Sequence, residues 1–161
     1  MEDTAIVYYS LDGNTDHIAR RIAEKTGAKL VRLETKRAYP RKGFKKFFIG
    51  GRDALFGAQP ELKASFPDLA PFGNIVIGTP VWASRPAPAI NTFLRRAKLD
   101  GKRIALFACS GGGQAKTCLN KMESLLAGNE ILCRASFISP AFKSGKAVDD
   151  AIDDIVSALS G

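Results

Sequence analysis

Residues 4–15 read Thr4-Ala5-Ile6-Val7-Tyr8-Tyr9-Ser10-Leu11-Asp12-Gly13-Asn14-Thr15, an apolar run that stops at a polar turn. Ala5 to Tyr9 is nearly continuous in apolar residues, as a strand buried on both faces of a parallel sheet should be. A helix is predicted to follow at once. Gly13 permits a tight backbone path, and Ser10, Asn14 and Thr15 place hydroxyl and amide donors beside the unpaired N–H groups of a helix start. Such a turn is a phosphate cradle. The patterns G-x-G-x-x-G and G-x-x-x-x-G-K-S/T are both absent, so the residues point to the single terminal phosphate of a mononucleotide, held without Mg²⁺. A plain strand-to-helix turn capped by Asp12 or Asn14 is the other reading of the same stretch.

Working outward, Thr15 to Lys25 carries Ile18, Ile22, Ala19 and Ala23 at helical spacing, and Gly27 lies where that helix would stop. Lys29 to Leu33 alternates apolar and basic residues, which suits a strand near a sheet edge. Further strands are predicted at Asn74 to Gly78, Lys102 to Ala108 and Ile131 to Phe137. Helices are predicted at Gln114 to Leu126, at Lys146 to Leu159, and around Ile90, Phe93 and Leu94, where Pro86 and Pro88 pre-set the start. Strands and helices in alternation mean a parallel sheet with helices on both faces, its ligand beyond the carboxyl ends of the strands. The 161 residues suit one domain over 1–161, with no repeat and no linker.

Two more loops leave strand ends. Thr79-Pro80-Val81-Trp82-Ala83-Ser84-Arg85-Pro86 holds the only tryptophan, whose flat face either packs locally or lies against a planar ring. Cys109-Ser110-Gly111-Gly112-Gly113 offers backbone N–H groups with no side chains in the way, or else is a flexible connection.

Composition closes off other classes. Cys109, Cys118 and Cys133 lack ligand spacing and His17 is the only histidine, so zinc and iron–sulfur sites are not expected. A phosphoryl-accepting signalling domain needs an acidic cluster at the strand ends, whereas the third strand ends Ile77-Gly78-Thr79; a low-molecular-weight tyrosine phosphatase needs a cysteine in the first loop. No apolar stretch is long enough for a signal peptide or span, so a cytoplasmic protein with no membrane partner is expected.

The net charge of +8 favours acidic partners. Between Lys36 and Arg52 stand seven basic residues (Lys36, Arg37, Arg41, Lys42, Lys45, Lys46, Arg52) and no acidic one. The segment from Glu34 to Leu69 exceeds an ordinary crossover, with breaks expected at Tyr39-Pro40 and Gly50-Gly51. Phe44, Phe47 and Phe48 would share one side of a short helix there, either covering a sheet edge while the lysines face water or meeting a partner. Nucleic acid is not expected, since charge alone speaks for it and no recognised module is present.

On the strength of these loops the chain resembles a short-chain flavodoxin along essentially its whole length. Ser10-Leu11-Asp12-Gly13-Asn14-Thr15 is similar to the flavodoxin phosphate loop S/T-x-T-G-x-T, and Thr79-Pro80-Val81-Trp82-Ala83 to its tryptophan-bearing second loop. Cys109-Ser110-Gly111-Gly112 stands in the place of the third. The resemblance implies a three-layer α/β/α sandwich on a five-stranded parallel sheet in order 2-1-3-4-5, with FMN as cofactor. It implies that Ser10, Leu11, Asp12, Gly13, Asn14 and Thr15 surround the phosphate, while Thr79, Pro80, Val81, Trp82, Ala83 and Ser84 lie on one side of the flavin and Cys109, Ser110, Gly111, Gly112 and Gly113 on the other. Asp12 departs from the usual threonine and is expected to cap the turn. The third loop lacks an aromatic residue, which predicts an open flavin face.

The function so implied is electron transfer with an acidic redox protein, a ferredoxin or reductase. The alternative is an NAD(P)H-dependent quinone or flavin reductase on the same scaffold. The basic surroundings should also make the flavin easier to reduce than in acidic flavodoxins.

Overall fold

Along β1 (Thr4–Tyr8) successive side chains alternate between two apolar layers, Ile6 and Tyr8 on one side and Ala5 and Val7 on the other, every one of them buried. A computed structural model describes residues 3–143 and 145–161. In it α1 (Asn14–Thr26) leads to the edge strand β2 (Lys29–Arg32), and Gly27 ends the helix in a left-handed conformation, its N–H donated to the Ala23 carbonyl. The excursion that follows holds a π-helical turn (Lys46–Gly50) and α2 (Gly51–Leu55). Then come β3 (Asn74–Trp82), β4 (Arg85–Pro86), α3 (Pro88–Arg96), β5 (Arg103–Ser110), α4 (Ala115–Ser124), β6 (Glu130–Ile138) and α5 (Lys146–Ser160).

The sheet runs β2-β1-β3-β5-β6, all neighbours parallel, with β4 paired antiparallel to β3. Leaving aside the two-residue β4, this is the expected order. Ile18 and Ile22 of α1 and Ile152 and Ile155 of α5 pack on the face that carries Val76 and Phe107. Ile90 and Phe93 of α3 and Cys118 and Met122 of α4 cover the other, against Ile75, Ile77 and Leu106. Gly78 lies opposite Phe107 in the β3–β5 register, and a Cβ there would stand 2.1 Å from the ring, so the core itself requires glycine.

Three expectations are corrected. β3 does not stop at Gly78 but runs on to Trp82 and turns back through Ala83 and Ser84, both left-handed (φ 48° and 61°), into β4. Pro86 therefore pairs with Val81 in a hairpin, and only Pro88 opens α3. Gly50-Gly51 is no break: both residues are right-handed helical, and a Cβ on Gly50 would lie 3.0 Å from the Trp82 ring. Phe44, Phe47 and Phe48 do not cover the sheet edge; they are 79, 74 and 68% exposed. The excursion is closed at its base instead by the Thr35–Leu62 bridge, with Lys36 N–H donating to Glu61 and Lys63 N–H to Glu34. Among the described residues no helix is long and apolar enough to cross a membrane.

Candidate functional site

The first and third loops are built alike. At the end of β1 the Ser10 hydroxyl oxygen accepts the N–H of Gly13 (3.2 Å); at the end of β5 the Ser110 hydroxyl accepts that of Gly113 (2.9 Å). Both glycines are left-handed, at φ 94° and 88°, and a helix follows each turn. Parallel pairing of β1, β3 and β5 brings both turns and the β3–β4 hairpin to one rim.

There they enclose a cavity of about 610 Å³, within the usual range for a ligand pocket, about 300–1,000 Å³. Ser10, Leu11, Asp12, Asn14 and Thr15 line one wall, Pro80, Val81 and Trp82 a second, and Cys109, Ser110 and Gly111 a third. Trp82 and Asn14 thus face a common space, as the sequence reading required.

The end of the cavity at the first loop is rich in uncommitted donors. Gly13 gives α1 no side-chain cap, so its first N–H groups keep no partner from one. The Thr15 hydroxyl is buried and, among the described residues, has no oxygen or nitrogen partner; its polar neighbour is the Cys109 thiol, a weak acceptor. Asn14 Oδ1 accepts the Ala141 N–H (3.0 Å), which turns the amide so that its N–H groups stay free among the described residues. A buried hydroxyl with only a thiol beside it costs stability unless a stronger acceptor occupies the site. These residues fit a phosphate.

Asp12 does not cap the turn. Its carboxylate pairs with Lys46 Nζ at 2.5 Å, which offsets the negative charge that would oppose a phosphate there. Below the loop, burial alone would pull the Asp16 carboxyl upward, but hydrogen bonds from Arg20 and from the Tyr8 hydroxyl, with the charges of Arg20 and Arg32, hold it below the usual carboxylate range. Burial and the Asp16 contact push the Tyr8 hydroxyl up to about 12.

Trp82 is gripped on its edges: Tyr9 meets it at 5.8 Å and 86°, Tyr39 at 5.2 Å and 70°. Burial raises the Tyr9 hydroxyl to about 12, and raises that of Tyr39 further, with help from its hydrogen bond to Asp53. Burial pushes the Cys109 thiol up to about 12, against a smaller lowering by the neighbouring Thr15 hydroxyl.

A family model described as flavodoxin matches residues 3–146. This chain belongs to the flavodoxin family. No curated protein sequence matches it. Among solved structures, a flavoprotein in complex with FMN from Lactobacillus acidophilus NCFM is 26% identical, with a TM-score of 0.74 over 91% of this chain and 100% of the other. A protein from Bacteroides uniformis ATCC 8492 described as a flavoprotein is 20% identical, with a TM-score of 0.77 over 96% and 97%. A flavodoxin, WrbA-like protein from Agrobacterium tumefaciens is 16% identical, with a TM-score of 0.61 over 99% and 94%.

Six residues singled out from the sequence of this flavodoxin lie off the cavity wall: Gly13, Thr79, Ala83, Ser84, Gly112 and Gly113. Thr79 is a strut of the hairpin, its hydroxyl donating to the Pro80 carbonyl (2.9 Å) and accepting the Ala87 N–H (3.0 Å). Ser84 donates to Gln114 Oε1 (3.0 Å) and so ties the second loop to the third. Gly13 and Gly113 act through the backbone.

In their place the cavity is lined by Arg41, Lys42, Lys46 and Phe47 of the excursion and by Ser139 and Phe142 of the turn after β6. Phe47 and Phe142 bring aromatic rings to the cavity lining that the third loop lacks, although both stand largely in solvent. The basic cluster was visible in the sequence, though not its reach to the first loop. Ser139, left-handed at φ 44°, had no signal beyond the Ser139-Pro140 pair.

Proposed function

We propose that the cavity binds FMN and that this flavodoxin is an electron carrier. One observation carries the reading: a buried Thr15 hydroxyl with no oxygen or nitrogen partner among the described residues, beside an uncapped helix start, shares a cavity with Trp82, Phe47 and Phe142. A monophosphate with a flat ring system satisfies both ends. The flavin-binding flavoprotein from Lactobacillus acidophilus supports the choice of cofactor.

Ser10, Asn14, Thr15 and the first N–H groups of α1 hold the phosphate. Leu11, Pro80, Val81 and Trp82 exclude water from the ring, and Cys109, Ser110 and Gly111 present the opposite wall. Bound there, FMN supplies the exchange of one or two electrons. The protein's part is to bind, to orient and to set the field: Arg41, Lys42 and Lys46 favour added negative charge on the ring, so the couple of the fully reduced cofactor should lie above that of acidic flavodoxins. The same charges would draw an electron-exchange partner of negative surface.

Arg41 and Lys42 also support a second reading, a reductase whose NAD(P)H phosphates rest on the rim. Titration of the purified protein with FMN should give a yellow, saturable complex that releases FMN on denaturation; failure to take up FMN overturns the reading. With FMN loaded, oxidation of NADH or NADPH in the presence of a quinone should be negligible for a carrier and sustained for a reductase.

A further inference from the structure

Phe44 and Phe48 pack ring to ring at 5.6 Å, and both project into solvent, 79 and 68% exposed. Phe47, 74% exposed, adjoins Phe48 in the chain and also lines the cavity, as does Phe142. Phe44, Phe47 and Phe48, neighbours along one turn, present roughly 400 Å² of apolar surface, within the range of a monomer's largest patch, which is often functional.

Around the rings the charge is of one sign. Of the seven basic residues from Lys36 to Arg52, Lys36, Lys46 and Arg52 have carboxylate partners, which leaves Arg37, Arg41, Lys42 and Lys45 without one among the described residues. Lys46 also lies over the Phe47 ring at 5.7 Å. Aromatic rings at i, i+3 and i+4 with lysines between them form a cationic, ring-bearing projection.

We infer that this projection docks on an anionic lipid surface. The headgroup region of a bilayer meets both requirements at once, since the rings enter the boundary with the acyl chains while the lysines and arginines meet lipid phosphates. A second copy of this chain would bring the same unpaired cations face to face. An acidic electron-exchange partner would meet Arg41, Lys42 and Lys46 at the cavity wall, whereas Phe44 and Phe48 lie off that wall and would demand pockets shaped to rings that stand this far out; a bilayer deforms around them. The surface departs from the expectation of no membrane partner, and it stands whether or not FMN is bound.

Flotation with vesicles of phosphatidylcholine alone, or of phosphatidylcholine mixed with phosphatidylglycerol, tests this. The protein should float with the mixed vesicles only and detach as salt is raised. Phe44→Ser combined with Phe48→Ser, neither on the cavity wall, should cut the floated fraction by about tenfold or more with the circular dichroism spectrum intact. Lys45→Glu should cut it at low salt. Four outcomes would overturn the inference: no flotation with anionic vesicles, equal flotation of the double variant, a solution dimer that the double variant dissolves, or a vesicle-independent complex with a small acidic ferredoxin lost in the same variant. Vesicle binding without FMN uptake would sustain it while removing the cofactor reading.

Discussion

Loops Ser10–Thr15 and Ser110–Ala115 share one backbone frame, a serine that accepts the N–H of a left-handed glycine three residues on, yet only the first is furnished for an anion. Where the first has Leu11 and Asp12, the third has Gly111 and Gly112, with open space beside both. Where the first has Thr15, its buried hydroxyl beside nothing stronger than the Cys109 thiol among the described residues, the third has the buried Ala115. The difference teaches that the frame sets the tight turn and the helix start, while a few side chains decide how many free donors and how much open space each turn offers. The first turn is also better braced: Tyr8 donates to Asp16 at 2.6 Å, and the corresponding positions of the third hold Ala108 and Lys116.

The largest effect should come from the side chain that distinguishes them. Thr15→Val should lower FMN affinity by about 10- to 100-fold, the value of a hydrogen bond to a charged group, while the melting temperature of the cofactor-free protein holds or rises because a buried hydroxyl with only the Cys109 thiol beside it is gone. Calorimetric titration and a thermal melt read the two; a parallel fall in stability would mean that the hydroxyl already has a structural role.

Next, Gly13→Ala and Gly113→Ala test the shared frame. Each forces alanine into a left-handed conformation and should cost about 1–2 kcal/mol in urea unfolding. Only Gly13→Ala should add a marked loss of FMN affinity; equal losses would dissolve the distinction between the loops.

A smaller change is expected at Asp12→Asn. With the carboxylate removed and Lys46 released toward the phosphate, FMN affinity should rise about threefold at low ionic strength, and the gain should vanish in high salt. An affinity that does not respond to salt would place Lys46 outside the cofactor's field.

The smallest concerns the brace. Because the native state holds the Asp16 carboxyl below its usual range, its contacts contribute stability that is whole above the unfolded carboxyl's value of about 3.9 and is lost as pH falls through the lower native value. Tyr8→Phe removes one hydrogen bond to Asp16, so the acid-side decline in melting temperature should become shallower. An unchanged decline would assign it to other carboxylates.

Much of this was legible in the chain. Ala5 to Tyr9, Ile75 to Ile77 and Ile104 to Phe107 are apolar on both faces because each strand lies between two helix layers, and a run of that kind needs no knowledge of its neighbours. The hairpin was hidden because Ala83 and Ser84 take left-handed conformations without the glycine or asparagine that usually announces such a turn. Gly50-Gly51 misled for the opposite reason: glycine usually marks a break, but here small size against Trp82 is what the position requires.

The amino-acid sequence by itself determined the alternating strands and helices, the serine–glycine turns at two strand ends and the basic, aromatic character of residues 36–52, because each depends on local pattern or local turn chemistry. Tertiary structure alone decided that Lys46 would neutralise Asp12, that Phe47 and Phe142 would line the same cavity as Trp82, and that the Thr15 hydroxyl would be buried beside nothing stronger than a thiol among the described residues. Those outcomes depend on where distant segments come to rest once the sheet has closed its core, and no spacing along the chain encodes that distance.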